Sequence, residues 1–130
     1  MSIESNKELV RKWIEAWQAK DLAALEKLFA AGYTVNGQPI GIEGVKGGVQ
    51  FLHSVLADIS ARAEDLVAEG DKVVLRWTVR GKHVGDLMGI PPSGKMVELK
   101  GTNIYEISGG VIAANHEQTN MLEVIQGLKS

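Results

Sequence analysis

The first half of the chain carries its apolar residues at helical spacing. A capping-box pair, Ser5 and Glu8, precedes one series of such residues, and Asp21 is a typical N-cap for the next. The two series are Leu9, Val10, Trp13, Ile14 and Trp17, followed by Leu22, Leu25, Leu28 and Phe29. We therefore predict two helices, the second ending near Gly32, and a third helix over residues 45–58.

The second half of the chain alternates between apolar and polar residues, as strands do. A two-residue hairpin loop at Gly70–Asp71 pairs Leu66 with Leu75 on an apolar face. The same register pairs Asp65 with Arg76 on the opposite face, where solvent suits both charges. This separation of apolar from charged pairs supports the loop and the register that it sets.

A second two-residue loop at Gly109–Gly110 pairs Asn103 with His116. Lys100 and Glu117 then lie on the opposite, solvent-facing side of the sheet. The register predicts that the face towards the core carries Trp77, Leu99, Tyr105, His116 and Asn120, together with His83, Asn103 and Gln118.

Helices first and antiparallel strands afterwards indicate an α+β fold, with the helices on one face of the sheet. At 130 residues the chain is long enough to bury a continuous core as one domain, which we place over residues 1–130.

Charge and composition exclude several kinds of partner. The formal net charge is −2, and no segment is rich in Lys or Arg, so we expect no nucleic acid partner. The chain has no cysteine and only three scattered histidines, which gives no thiolate chemistry and no metal-ligand spacing. Charges near the amino terminus and the lack of a membrane-length apolar stretch predict a cytoplasmic protein without a membrane partner.

The segment GKHVGDLMGIPPSGK (Gly81–Lys95) is similar to the signature of SnoaL-like polyketide cyclases and their ester-cyclase relatives, which read roughly GTHxGxxxGIPPTGK. Tyr33 before the G-x-E-G turn at Gly41–Gly44, and the later AEGDKVVLRW, follow the same family order, so the resemblance covers nearly the whole chain. It implies the cone-shaped, cystatin-like fold of nuclear transport factor 2, in which a curved antiparallel sheet and three helices enclose a pocket.

The resemblance also implies homo-oligomers formed through the sheet, at least a homodimer. The tail supplies further apolar residues for such contacts: Met121, Leu122, Ile125 and Leu128. Founding members of the family close a ring of a polyketide ester by intramolecular aldol condensation, without a cofactor, and use an acidic residue as general acid and base.

In the family that acid ends the last strand in a W-x-x-x-D pattern, and here His116 and Asn120 stand at the matching positions. A neutral amide cannot take a proton, so Asn120 is not a general base. His116 is the best replacement, and we predict His116 and Asn120 as the catalytic positions. Asn36 likewise stands where the family has a histidine after its early Tyr-x-x.

We expect a small hydrophobic molecule to contact Trp13, Trp17, Tyr33, Asn36, Trp77, His83, Leu99, Asn103, Tyr105 and Gln118. Structural roles remain open for several of them. Asn103 and His116 form a buried hydrogen-bonded pair in one alternative, His83 braces the loop at Pro91 and Pro92, and the tryptophans pack as ordinary core residues.

Three functions are compatible with these residues. The first is a cofactor-independent enzyme that acts on a small polyketide-like carbonyl compound, by aldol cyclisation or isomerisation. The second is a non-catalytic binding protein, because Asn120 replaces the family's acid. The third is a structural oligomerisation domain. The presence of a cavity separates the third from the others, and turnover separates the first from the second.

Overall fold

A computed structural model describes residues 2–129 of the protein. Its helices are α1 (Ile3–Ala19), α2 (Leu22–Leu25), α3 (Gly41–Val55) and α4 (Met121–Lys129). Its strands are β1 (Phe29–Val35), β2 (Gln38–Pro39), β3 (Leu56–Glu69), β4 (Lys72–His83), β5 (Met96–Ser108) and β6 (Val111–Thr119). The predicted α+β class is confirmed, with four helices in the described residues instead of three.

The helix boundaries differ from those predicted. Ser2 caps α1: Ser2 and Ser5 exchange backbone-to-side-chain hydrogen bonds of 3.0 Å, so the capping box lies three residues before the predicted one. Helix α2 is a single turn, because Phe29 already begins a strand. Helix α3 spans Gly41–Val55, and the predicted end at Asp58 belongs to β3.

The strands form one curved, unclosed sheet in the order β2-β1-β6-β5-β4-β3. Helices α1 and α3 pack against one face, which we call the inner face, and the other is the outer face. The predicted register of the first hairpin is confirmed: Leu66 pairs with Leu75, and Asp65 pairs with Arg76. An ion pair of 2.6 Å joins the latter two on the outer face.

The predicted register of the second hairpin is wrong beyond its first two pairs. Ile107 pairs with Ile112 as expected, but Glu106 pairs with Ala114, so Ala113 is an extra residue in β6. Such a β-bulge shifts the register by one and moves every later side chain of the strand to the other face. The prediction that pairs Asn103 with His116 is therefore wrong, since Asn103 pairs with Glu117.

The carboxyl-terminal helix packs on its own chain. Met121, Val124 and Leu128 of α4 contact a core cluster that includes Leu99. Leu122 points away and is 69% exposed. Met121 and Leu128, two of the four tail residues expected to supply apolar surface, thus pack within the chain.

Candidate functional site

A cavity of about 110 Å³ lies between α1 and the inner face of the sheet. Apolar and aromatic side chains supply most of its wall, and a few polar groups converge on it. It is lined by Trp13, Ile14, Trp17, Leu52, Ala61, Arg62, Leu75, Trp77, Val79, Asn103, Tyr105 and Glu117. An apolar wall with few polar groups is the usual composition of a small-molecule site.

Glu117 is the carboxylate of this cavity. It lies on β6 directly opposite Asn103 of β5, on the face that the bulge at Ala113 turns inward. Burial raises the pKa of Glu117 above its usual value, and a hydrogen bond from the Asn103 side chain partly offsets the increase. A carboxylate whose pKa is raised by an apolar wall is a stronger base than one in water.

Asn103 connects the polar groups of the cavity. Its amide oxygen accepts a hydrogen bond of 3.1 Å from the Trp77 indole, which fixes the orientation of the amide. Its amide nitrogen then donates to the Tyr105 hydroxyl oxygen at 2.7 Å. The same side chain favours the charged form of Glu117 and so lowers the pKa of that carboxyl group. The side chain is 5% exposed, and it links the Trp77 indole and the Tyr105 hydroxyl beside Glu117.

Two buried tyrosines accompany the carboxylate. Burial raises the pKa of both the Tyr105 and the Tyr33 hydroxyl, and the charge of Glu117 adds to the increase in each. Tyr105 lines the cavity and accepts a 2.8 Å hydrogen bond from the Trp13 indole. Tyr33 does not line it, and its hydroxyl lies against the Asn115 amide.

Asn36 holds the backbone of the strand that carries the carboxylate. The backbone N–H of Glu117 donates to the Asn36 side-chain oxygen at 2.8 Å, and the Asn36 amide donates to the Glu117 carbonyl at 3.3 Å. Asn36 has a left-handed backbone (φ 49°), which Asn tolerates better than most residues. The predicted ligand contact at Asn36 is instead a contact to the main chain of the site.

His116 lies on the outer face, outside the cavity. Its Nε2 is 2.6 Å from a carboxylate oxygen of Glu106, and its side chain is 53% exposed. This pair and Lys72 lower the pKa of Glu106. The predicted position of His116 beside Leu99 is wrong, because the bulge at Ala113 reverses the faces of the strand.

Asn120 and Gln118 also lie away from the cavity, along a groove on the outer face. The Asn120 side-chain oxygen accepts from the backbone N–H of Lys100 at 2.8 Å, and its amide faces the Glu98 carbonyl at 3.3 Å. Asn120 therefore completes hydrogen bonds of β5 where β6 has ended. The prediction that it faces the core is wrong.

Two further predicted residues are buried without lining the cavity. Leu99 belongs to a neighbouring core cluster. His83 is fully buried, and its Nδ1 is 2.9 Å from the Ser93 hydroxyl, which ties the end of β4 to the following loop. Of the predicted ligand contacts, the cavity brings together Trp13, Trp17, Trp77, Asn103 and Tyr105.

Comparison with known proteins assigns the family. Residues 7–128 match the SnoaL-like polyketide cyclase family. The chain belongs to this family. No curated protein matches the chain.

Solved structures of similar proteins agree with a SnoaL-like fold. TsrD from Streptomyces laurentii is 29% identical, with a TM-score of 0.89 over 98% of this chain and 97% of that one. IdmH from Streptomyces antibioticus, named as a candidate polyketide cyclase, is 26% identical, with a TM-score of 0.83 over 96% and 99%. A protein of the same description from Acidithiobacillus ferrooxidans is 28% identical, with a TM-score of 0.83 over 99% and 98%.

In this SnoaL-like chain, sequence reasoning missed Glu117, because the bulge leaves little trace in the pattern. After Ile112 the strand reads Ala-Ala-Asn-His-Glu-Gln-Thr, which is equally polar on both faces in either register.

Three or more His, Asp or Glu side chains grouped for a metal are not found within residues 2–129. None of the helices described there has the length and apolarity to cross a bilayer.

Proposed function

We propose that the protein is a cofactor-independent acid–base enzyme that acts on a small polyketide-like carbonyl compound, with Glu117 as its general base. One observation carries this proposal: a carboxylate whose pKa is raised by burial faces an apolar cavity. Membership of the SnoaL-like polyketide cyclase family supports ring closure as the reaction class.

The reaction follows from this pairing of base and cavity. The Glu117 carboxylate takes a proton from a carbon next to a carbonyl group, and the electron pair of the broken C–H bond moves onto the carbonyl oxygen. The resulting enolate carbon bonds to the carbon of a second carbonyl in the same molecule, whose oxygen becomes an alkoxide. The protonated Glu117 returns its proton to that alkoxide, so the product is an isomer of the substrate.

The aromatic wall supports a planar substrate. Trp13, Trp17 and Trp77 all line the cavity, and indole faces stack on flat rings and on delocalised enolates. An engineered apolar cavity of about 150 Å³ binds benzene, so the present volume of about 110 Å³ limits the part of a substrate inside the cavity to about one ring.

The alternative of a non-catalytic binding protein rested on Asn120 in place of the family's acid. Asn120 lies outside the cavity, so its identity does not decide whether the cavity contains a carboxylate. Glu117 supplies that group, and this observation favours the enzyme.

Ring closure of heptane-2,6-dione to 3-hydroxy-3-methylcyclohexanone tests the proposal and can be followed by proton NMR. Glu117→Gln should lower the rate by roughly 10²- to 10⁴-fold, the usual contribution of a positioned base. Glu106→Gln is the matched control, since Glu106 lies on the outer face, and it should retain the wild-type rate. Equal rates in wild-type protein and Glu117→Gln would contradict the proposal, and saturable dione binding without turnover in both would favour the binding protein.

A further inference from the structure

The hydroxyl hydrogen of Tyr105 has no acceptor among residues 2–129. Its oxygen accepts two hydrogen bonds, from the Trp13 indole at 2.8 Å and from the Asn103 amide at 2.7 Å. A phenol oxygen accepts about two such bonds, so both acceptor positions are taken and the O–H is left to donate.

The directions of these bonds are fixed by their neighbours. An indole N–H can only donate, so Trp13 donates to Tyr105 and Trp77 donates to the oxygen of Asn103. The Asn103 amide nitrogen therefore faces Tyr105 and donates as well. The Glu117 carboxylate acts on Tyr105 through its charge and not through a hydrogen bond.

A buried donor without an acceptor is costly unless a bound molecule accepts its hydrogen. Tyr105 lines the cavity and is 1% exposed, so an acceptor bound in the cavity can reach a hydroxyl that bulk solvent hardly touches. Tyr33 provides a contrast, because it is also a buried tyrosine near Glu117 but does not line the cavity.

We infer that the Tyr105 hydroxyl donates a hydrogen bond to an oxygen of the bound substrate and stabilises the negative charge that forms there. This role rests on the proposed function, because the charge arises when Glu117 removes the neighbouring proton. The pair selects the substrate class: a planar compound with a carbonyl oxygen for Tyr105 and an acidic C–H on the next carbon for Glu117. Hydrogen-bond donors fixed before the reaction are effective stabilisers of such charge.

Two probes of nearly equal shape test the donor directly. 4-Nitrophenolate carries an oxyanion where 4-nitrotoluene carries a methyl group, so the ratio of their affinities reports the hydrogen bond and not the fit of the ring. Both are measured in a Glu117→Gln background, in which the neutral amide imitates the protonated base. Tyr105→Phe should lower the ratio by roughly 10- to 100-fold, as expected for a hydrogen bond to a charged acceptor. Tyr33→Phe, the matched control, should leave it unchanged within about twofold.

Tyr105→Phe leaves two donors without their acceptor and can weaken the fold. A second comparison therefore starts from Trp13→Phe, which removes one of those donors and retains the phenol. The ratio should again fall by roughly 10-fold or more between Trp13→Phe and the Trp13→Phe/Tyr105→Phe double variant. An unchanged ratio in both comparisons would overturn the inference.

The two proposals fail in different ways. If Glu117→Gln retains full ring closure while Tyr105→Phe lowers the ratio, the assignment of the base is wrong and the donor role holds. If Glu117→Gln abolishes ring closure and the ratio does not change, the base assignment holds and Tyr105 has a structural role, as the acceptor for Trp13 and Asn103.

Discussion

Glu117 and His116 are neighbours in sequence and lie on opposite faces of the same strand. Glu117 faces the cavity, while His116 pairs with Glu106 on the outer face. The bulge at Ala113 decides which of the two is inside, because it shifts the register between β5 and β6 by one residue.

The raised pKa of Glu117 makes stability depend on pH in a defined direction. The folded pKa lies above the usual 4.5, so the unfolded chain releases its proton first as the pH rises, and this group lowers stability above that pH. Glu117→Gln should therefore raise the melting temperature at pH 7. The gain should vanish below about pH 4, where Glu117 is protonated in both states. A gain that persists undiminished at low pH would contradict this explanation.

The same group should set the acidic limb of the rate profile. Turnover requires the carboxylate form of Glu117, so the apparent pKa of the acidic limb of kcat should lie above 4.5. Measurement of ring closure between pH 4 and 8 gives this value. His116→Ala should leave the apparent pKa of this acidic limb unchanged, because the imidazole lies on the other face of the sheet.

Asn120→Asp should not create a catalytic acid. The substitution replaces the amide that faces the Glu98 carbonyl with a carboxylate oxygen, so one hydrogen bond becomes a repulsion. We expect a loss of about 1 kcal/mol in stability and no gain in ring closure. Gln118→Glu, in the same outer groove, adds the same charge and should have a smaller effect on thermal unfolding.

Gly101 allows the Trp77 ring to lie across the sheet. A Cβ at this position would overlap the indole, so Gly101→Ala should displace a wall of the cavity. Overpacking of this kind costs about 1–3 kcal/mol, and probe binding should weaken with it. Gly47→Ala, in an open position of α3, is the matched control and should stabilise the protein by about 0.5–1 kcal/mol.

The expected homodimer has a candidate surface on the outer face. Val67, Val74 and Ile104 form an apolar row across three strands, and Ile104 is 38% exposed. Ile104→Lys should weaken self-association by roughly 10-fold or more, because burial of the charge would be costly. Leu122→Lys should leave it unchanged if the tail packs only on its own chain. Sedimentation at several concentrations distinguishes the two surfaces.

Sequence patterns predict strand faces only where the two faces differ in polarity. Leu66 and Leu75 oppose Asp65 and Arg76 so clearly that a slip of one residue would bury a charge, and the first hairpin has the predicted register. Residues 113–119 mix apolar and polar side chains on both faces, so their pattern does not distinguish the register with the extra residue at Ala113 from the register without it. The inward orientation of Trp77 and Tyr105 was therefore predictable from the sequence, and that of the Glu117 carboxylate was not.

The bulge at Ala113 also matters for how relatives are compared. Consider two chains whose side chains follow the same order, one with the extra residue and one without. Opposite faces of this strand would then point towards the ligand in the two chains. A single-codon insertion or deletion can thus exchange an imidazole for a carboxylate in the cavity without altering either side chain. In such chains, the number of residues between the Gly109–Gly110 turn and a strand residue shows which face that residue occupies. This number indicates the chemistry of the cavity better than the residue type at an aligned position does.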